Sequence, residues 1–341
     1  MKIPPEPNSI PGQQQFGKPE HWIASRTTGL QAPNAGISHV SVTVNSLDQA
    51  AGLYKSAGLV EAARYFVNES ELGRQVEGVE FGTTDNMIMR GPNGHVRLVE
   101  YRDAPKIDYV PVPTQGPGIT HLCIQSPADK PIFERLLAYG ATMVSKGSEL
   151  IDLAGAGVYY AYLSDAEGTM FEIEHADNPR YETDIWIGHI AIATPDIDRA
   201  VEFYGKLLGL DAFRRGEYAN LQTLDQVAGL DNVALRSAWI KTENMVVELW
   251  QFLNPPTEES VPPHRSSLAP GYTEIAFQVN DIEAELELLS LLGPTILSPV
   301  ISTETDRRVY LRDPDGNVLS LRELPDESPL SISHLHKQFD W

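Results

Sequence analysis

Three histidines and one glutamate recur at the same place in four similar segments of the chain. The residues are His39, His121, His189 and Glu274, in the segments GISHVSVTV, GITHLCIQS, GHIAIATPDI and GYTEIAFQV. Imidazole and carboxylate groups bind divalent metals and transfer protons. A lone histidine in a strand is usually a core or surface residue, whereas recurrence at equivalent positions favours a shared role. These four residues are therefore the first candidates for a functional site.

Each segment alternates apolar residues with small or polar residues, which predicts a β-strand with two unlike faces. In the first segment Val40, Val42 and Val44 form the apolar face, and His39 lies on the opposite one. The apolar face should pack on a helix. The face that carries the histidine is then left to line a space.

A helical pattern follows each of these strands, and three of the patterns have clear bounds and caps. They cover residues 46–59, 196–210 and 281–293, and Ser46, Asp196 and Asp281 are the predicted N-caps, with Gly58, Gly209 and Gly293 at the ends. Strand-like runs come after each helix, and two modules close with a tight polar turn and another strand. The predicted unit is βαβββ, present four times.

The four units repeat as a pair of pairs. His39 and His189 are 150 residues apart, and His121 and Glu274 are 153 apart, which predicts a duplicated domain of two modules. The predicted division is an N-terminal extension at 1–34, a first domain at 35–178 with modules 36–105 and 118–178, a second domain at 185–325 with modules 186–254 and 270–325, and a C-terminal tail at 326–341. In this division the Pro-rich stretches 103–118 and 254–271 connect modules inside each half.

Composition excludes several classes of protein. The 341 residues include 26 Lys and Arg against 47 Asp and Glu, a formal charge of −21, so the basic surface that nucleic acids require is missing. The single cysteine, Cys123, allows no internal disulfide. Neither a signal peptide nor an apolar run of roughly 18 residues is found, so we expect a cytoplasmic protein that contacts no membrane.

Four βαβββ modules with these first strands, and with DAEGTMFEI or DPDGNVLSL closing the later module of each half, resemble the vicinal oxygen chelate superfamily. That family includes glyoxalase I, extradiol ring-cleaving dioxygenases, epimerases and drug-binding resistance proteins. The resemblance implies an α+β fold of two tandem vicinal oxygen chelate domains, each with two paired modules that form a cup-shaped mixed sheet. It also implies a divalent metal held by the first and last strands of each module. Family membership alone does not fix the reaction.

Carried over onto this sequence, the resemblance implies a metal site in the first domain formed by His39, His121 and Glu172. Two imidazoles and one carboxylate are the ligand set of non-haem Fe(II) oxygenases. Tyr162 matches a tyrosine that handles the substrate's proton. Arg97 occupies the fourth ligand position and is interpreted as a cation that pairs with the substrate. In the family this tyrosine belongs to a sequence signature that also contains an upstream histidine and a proline. This chain departs from it in two ways, because the histidine is missing and Ala166 replaces the proline.

The second domain offers a less complete set. His189, Glu248 and Glu274 match ligand positions, but Ser320 stands where the fourth ligand is expected. Such a set could bind Zn, Mn or Ni for proton chemistry, or it could be a decayed copy.

The leading hypothesis is therefore an extradiol-like dioxygenase that binds a catechol-like or hydroxylated aromatic molecule through Fe(II), with Mn(II), Zn and Ni as alternative metals. Two other hypotheses remain open. One is a glyoxalase-like or epimerase-like isomerase or lyase that uses no oxygen, and the other is a metal-free protein that binds a small molecule. A homodimer is expected because sheet edges in such modules often pair between subunits.

Overall fold

The computed structural model describes residues 36–68, 83–104, 107–259, 266–290 and 293–337. The predicted extension at 1–34 lies outside these ranges, and so do the last four residues of the predicted tail. None of the helices in the described ranges has the length and apolar character needed to cross a membrane.

The described ranges contain eighteen strands, five α-helices and one 3-10 turn at Ile332–His334. The strands are β1 (Gly36–Thr43), β2 (Val60–Asn68), β3 (Thr83–Arg90), β4 (His95–Tyr101), β5 (Gly118–Pro127), β6 (Thr142–Met143), β7 (Ile151–Asp152), β8 (Val158–Ser164), β9 (Met170–Ala176), β10 (Trp186–Ala193), β11 (Ala212–Ala219), β12 (Ala234–Lys241), β13 (Val246–Asn254), β14 (Gly271–Gln278), β15 (Thr295–Ile296), β16 (Ile301–Ser302), β17 (Arg307–Arg312) and β18 (Val318–Glu323). The helices are α1 (Leu47–Ser56), α2 (Ile132–Tyr139), α3 (Ile197–Leu208), α4 (Gln222–Ala228) and α5 (Ile282–Leu289).

The strands form two mixed sheets of nine strands each. Sheet I has the order β15-β17-β18-β14-β1-β4-β3-β2, with β16 on β17, and sheet II has the order β11-β12-β13-β10-β5-β9-β8-β6, with β7 on β8. At the middle of each sheet two first strands pair antiparallel, β1 with β14 and β5 with β10. Each of these strands has the last strand of its own module beside it in parallel. The predicted α+β fold with two modules in each sheet is confirmed.

The modules pair differently from the sequence-based division. Sheet I combines the first module with the fourth, and sheet II combines the second with the third, so the predicted pairing of 36–105 with 118–178 and of 186–254 with 270–325 is wrong. The short connection at 177–185 keeps β9 and β10 in one sheet. The longer Pro-rich connections, which were expected to lie inside each half, instead carry the chain from one sheet to the other.

The helices begin where their capping residues predict. The side chains of Ser46, Asp196 and Asp281 accept hydrogen bonds from backbone N–H groups in the first turns of α1, α3 and α5. Helix α3 ends at Gly209, in the left-handed conformation with φ of 63°. Helix α5 ends earlier than predicted, at Ser290.

The helices pack on the apolar strand faces, as the alternation predicts. Val40 and Val42 of β1 join one buried cluster with Leu47 of α1, and Ile190 and Ile192 of β10 join it with residues of α3. Each strand therefore turns its other face away from the helices. That face carries the recurring histidines and acids.

Candidate functional site

Four side chains of types that can bind metal meet at the middle of sheet II. They are His121 of β5, Glu172 of β9, His189 of β10 and Glu248 of β13, and we call this group the sheet II centre. The two Nε2 atoms of the histidines lie 3.3 Å apart. The Nε2 atom of His189 is 3.0 Å from an Oε2 atom of each glutamate, and that of His121 is 3.7 Å from each.

Strand register explains why these four residues converge. Ala191 of β10 lies opposite His121 on one side and beside Glu248 on the other. Cys123 of β5 lies beside Glu172 in the same way. Because side chains alternate along a strand, all four ligand types point to one face, and the small residues Ala191 and Cys123 leave room between them.

The sheet II centre is buried, and its charged groups shift one another's pKa values. The four side chains are at most 9% exposed. Burial lowers the pKa of His121 to about 3, so this imidazole is neutral. Burial also disfavours a charge on His189, but the carboxylates of Glu248 and Glu172 prevail and raise its pKa well above the usual value. The group therefore stabilises a positive charge between two carboxylates.

The two glutamates differ in their pKa. Burial raises the pKa of Glu172 to about 7, against the opposing hydrogen bond from His189. Burial acts on Glu248 in the same direction, yet the charge on His189 lowers its pKa below the usual value. The indole N–H of Trp239 also donates a hydrogen bond to Oε1 of Glu248. Trp239 thus holds one carboxylate in place.

His121, His189 and Glu248 place ligand atoms within 4.8 Å of one another, which fits a divalent metal ion, and Oε2 of Glu172 lies within 3.7 Å of both histidines. Ligand bonds of about 2.1 Å place neighbouring donor atoms about 3.0 to 3.4 Å apart, close to the separations of 3.0 to 3.7 Å between the histidine nitrogens and their neighbours. The Oε2 atom of Glu248 is buried and lies 3.0 Å from Nε2 of His189, and an ion bound between the two would satisfy both atoms. Thr120 Oγ1 lies 3.0 Å from Nδ1 of His121 and orients that ring, as outer partners of metal ligands do.

Aromatic residues line the sheet II centre. The ring of Tyr162 lies 4.8 Å from that of His121. On the other side Trp239 packs edge-on against Trp250, which stacks on Phe252. The guanidinium of Arg214 lies 4.7 Å above the ring of Trp239. The surroundings of the centre are therefore largely aromatic.

The metal site predicted in the first domain is not formed. His121 and Glu172 come together, but His39 lies on sheet I, where its Nε2 atom is 3.7 Å from Glu274. Arg97 is also on sheet I, with Nη1 3.6 Å from Glu274, and is not beside Tyr162 as the proposed roles required. The second predicted set is likewise divided, since His189 and Glu248 belong to sheet II and Glu274 to sheet I. The error follows directly from the pairing of modules.

Two residues important for these sites were missed from the sequence. Trp239 lies directly across from Glu248 on the neighbouring strand, and Arg322 lies two residues after Ser320 on the same face. The alternation of β18 could have identified Arg322. Trp239 could not be found in this way, because its role depends on the register between two strands.

Comparisons with known proteins agree with this fold. Residues 186–321 match a family model described as the glyoxalase/bleomycin resistance protein/dioxygenase superfamily. Glyoxalase I from Zea mays is similar in structure, with a TM-score of 0.59 and 19% identity over 84% of this chain and 92% of that one. A provisionally assigned dioxygenase from Bacillus subtilis subsp. subtilis str. 168 has a TM-score of 0.55 and 15% identity over 87% and 89%.

No curated protein matches the sequence. At these identities the solved structures establish a shared fold and leave the reaction open. The match over residues 186–321 and the shared fold agree with the resemblance to the vicinal oxygen chelate superfamily.

Proposed function

We propose that this protein is a metal-dependent enzyme of the vicinal oxygen chelate type that isomerises or cleaves a small oxygenated substrate by proton transfer at the sheet II centre. Its ligands would be His121, Glu172, His189 and Glu248. When bound, the metal would polarise two neighbouring oxygens of the substrate and so acidify the carbon beside them. This is the isomerase or lyase alternative among the sequence-based hypotheses.

The number of protein ligands to the metal favours proton transfer over oxygen-dependent ring cleavage. A six-coordinate ion with three protein ligands can accept both a chelating substrate and dioxygen. Four protein ligands leave two positions, enough for the two oxygens of one substrate. Glu248, held by Trp239, is the fourth donor that the dioxygenase hypothesis did not include. Proton transfer needs only the substrate and a base.

Glu172 is the better candidate for that base. Both glutamates lie 3.0 Å from His189, but Trp239 holds only the carboxylate of Glu248. A carboxylate tied by fewer hydrogen bonds moves more easily toward a substrate proton. Burial raises the pKa of Glu172, the direction that makes a carboxylate a stronger base.

The surroundings support a substrate with two neighbouring oxygens and an apolar or aromatic part. Trp239 and Trp250 form one wall of the centre, and Tyr162 borders it on the side of His121. Burial keeps the hydroxyl of Tyr162 protonated by raising its pKa well above 10. Tyr162 can therefore donate a hydrogen bond to a substrate oxygen but does not serve as a base.

The test combines oxygen consumption with hydrogen exchange. Metal-loaded protein would be incubated in D₂O, with and without oxygen, with α-hydroxyketones, 2-oxoaldehyde–thiol adducts and catechols. We expect deuterium at the carbon next to the chelating oxygens, at equal rates in both conditions. Catechol turnover that stops without oxygen would contradict proton transfer and establish the dioxygenase.

Fe(II)-dependent ring cleavage is the second candidate. His121, His189 and one glutamate still form a set of two histidines and one carboxylate, and Tyr162 adjoins it. Glu248→Gln separates the two candidates. Ring cleavage would survive this change because three ligands remain, whereas we expect a four-ligand centre to lose metal.

The metal-free binding protein is tested by elemental analysis. Protein purified without a metal-affinity tag should hold close to one equivalent of transition metal. Less than about a tenth of an equivalent, together with no uptake of added Zn or Mn, would support the binding protein instead.

A further inference from the structure

Sheet I contains a counterpart of the sheet II centre at equivalent register positions. In sheet I, Ala276 of β14 pairs with His39 and lies beside Ser320. In sheet II, Ala191 of β10 pairs with His121 and lies beside Glu248 in the same way. Ser41 pairs with Glu274 and lies beside Arg97. The four positions of this sheet I centre therefore hold His39, Arg97, Glu274 and Ser320, of which two are ligand types.

Arg322 reaches into this centre from β18. Its Nη2 atom donates to Oε1 of Glu274 at 3.0 Å and to the hydroxyl of Tyr310 at 3.0 Å. Its Nη1 atom donates to Asp306 at 2.9 Å, and its Nε atom to Ser320 at 3.2 Å. The side chain is 4% exposed, so the charge is neutralised inside the protein rather than by solvent.

Both carboxylate oxygens of Glu274 already accept hydrogen bonds, and each faces a guanidinium group. Its Oε1 atom accepts from Arg322 and from the hydroxyl of Ser320. Its Oε2 atom accepts from Ser41 at 2.7 Å and lies 3.6 Å from Nη1 of Arg97. A divalent cation would have to displace these donors and would then lie between two buried guanidinium groups. The residues of the sheet I centre therefore do not fit the metal that the fold family implies.

We propose that the guanidinium of Arg322 takes the place of the metal ion in sheet I, so that this centre is metal-free and stabilises the fold through its ion pairs. A fixed internal cation satisfies the same buried carboxylate that a metal would bind. The two halves of the molecule then differ in role. The expected single equivalent of metal per chain rests on the proposed function, whereas the absence of metal from sheet I does not.

Matched histidine variants of the full chain test the metal content. Wild type, His39→Ala and His121→Ala would be dialysed against Zn or Mn, freed of excess ion and measured by elemental analysis. We expect one equivalent in wild type and in His39→Ala, and less than about a tenth in His121→Ala. Two equivalents in wild type, with one lost in His39→Ala, would overturn the proposal.

Thermal unfolding supplies a readout that does not depend on the sheet II centre. Arg322→Met leaves Glu274 buried without its cation, and we expect the melting temperature to fall by about 10 °C with or without EDTA. Arg308→Met is the matched control, because Arg308 forms its ion pair with Asp306 at 2.7 Å, whereas Arg322 pairs with both Asp306 and Glu274. We expect a loss of less than about 3 °C for this control.

Equal losses in the two variants would contradict the role of Arg322. Stabilisation of His121→Ala by added Zn or Mn would show that sheet I binds metal and would overturn the proposal as well. If wild type binds no metal, the proposed function fails, and the comparison of Arg322→Met with Arg308→Met decides the inference alone. If Arg322→Met does not fold, the metal content of the histidine variants decides it.

Discussion

Asn93 and Asn244 donate hydrogen bonds to each other's backbone carbonyl, at 2.7 and 2.8 Å, and thereby join the two sheets. Asn93 lies in the turn between β3 and β4 of sheet I, and Asn244 in the turn between β12 and β13 of sheet II. Each side chain also pairs with a backbone N–H and carbonyl of the other sheet, Asn93 with Ile187 and Asn244 with Ile37. Both are buried, so these bonds cannot be replaced by water at no cost.

Loss of either asparagine should destabilise the whole molecule. Asn93→Ala or Asn244→Ala leaves several buried backbone groups without partners, and we expect a decrease of about 3 kcal/mol in the free energy of unfolding. Urea denaturation would measure it. Asn45→Ala, at an exposed position, should cost less than about 0.5 kcal/mol. A similar small effect at Asn93 and Asn244 would mean that these hydrogen bonds contribute little to holding the sheets together.

Trp239→Phe should weaken metal binding without removing a ligand. The indole N–H fixes the carboxylate of Glu248, and loss of such an outer partner typically lowers metal affinity about 10- to 100-fold. Competition with a fluorescent chelator would measure the affinity. Trp186→Phe serves as control, since Trp186 stacks on Tyr181 instead. Unchanged affinity in Trp239→Phe would contradict a role for Glu248 as a ligand.

Glu172→Gln should lower kcat strongly and change KM little. A neutral amide cannot accept the substrate proton, and general-base variants typically lose about 10²- to 10⁴-fold in rate. The measurement is kcat and KM at full metal occupancy, with Glu100→Gln as the control because Glu100 is a half-buried carboxylate of β4 in sheet I that accepts a hydrogen bond from the backbone N–H of Leu47. A fall in kcat of less than about tenfold would assign the base to another residue.

Metal removal should lower stability through the sheet II centre alone. Binding at 1,000 times Kd stabilises the folded state by about 4 kcal/mol, so EDTA should lower the melting temperature of wild type and added Zn or Mn should restore it. His121→Ala should respond to neither. A response to EDTA that persists in this variant would place the stabilising ion elsewhere.

His39 should make stability fall in mild acid. Burial lowers its pKa to about 4, with Arg322 and Arg97 acting in the same direction and Glu274 opposing them, so the folded protein keeps this ring neutral. Between the ordinary pKa of 6.5 and the folded value, the unfolded chain binds a proton that the native state does not, and stability decreases as the pH falls.

The His39→Gln variant isolates this contribution. The free energy of unfolding of each protein would be measured in urea at pH 7.5 and at pH 5. The decrease between these two pH values should be about 2 kcal/mol smaller in His39→Gln than in wild type. His95, also buried with a pKa lowered to about 4, acts in the same direction in both proteins and cancels in the comparison. An identical fall in both proteins would show that His39 is charged in the native state.

Local features of the sequence predicted most of the fold. Alternation assigned His39, His121 and His189 to the face away from the helices, and the caps at Ser46, Asp196 and Asp281 were found because each depends on only a few neighbouring residues. All four first strands have the same pattern, so nothing in that pattern selects β14 over β5 as the partner of β1. The predicted ligand set combined residues of two sheets for this reason.

The candidate site could therefore be predicted as residue types but not as a group. His121, Glu172, His189 and Glu248 were all named, yet they were divided between two expected sites. Connection length was the available signal, because the nine residues from 177 to 185 are fewer than those of the Pro-rich connections. The contribution of Trp239 depends on cross-strand register, which the sequence does not reveal.

The nested arrangement of the modules also sets an order of assembly during synthesis. Every strand of sheet II comes from the continuous stretch 118–254, so the ribosome delivers its last strand while the fourth module is still unmade. Among the described strands β1 is synthesised first, yet its partner β14 emerges more than 200 residues later. This strand thus keeps an open edge the longest of those described, and this is where a chaperone would be needed most.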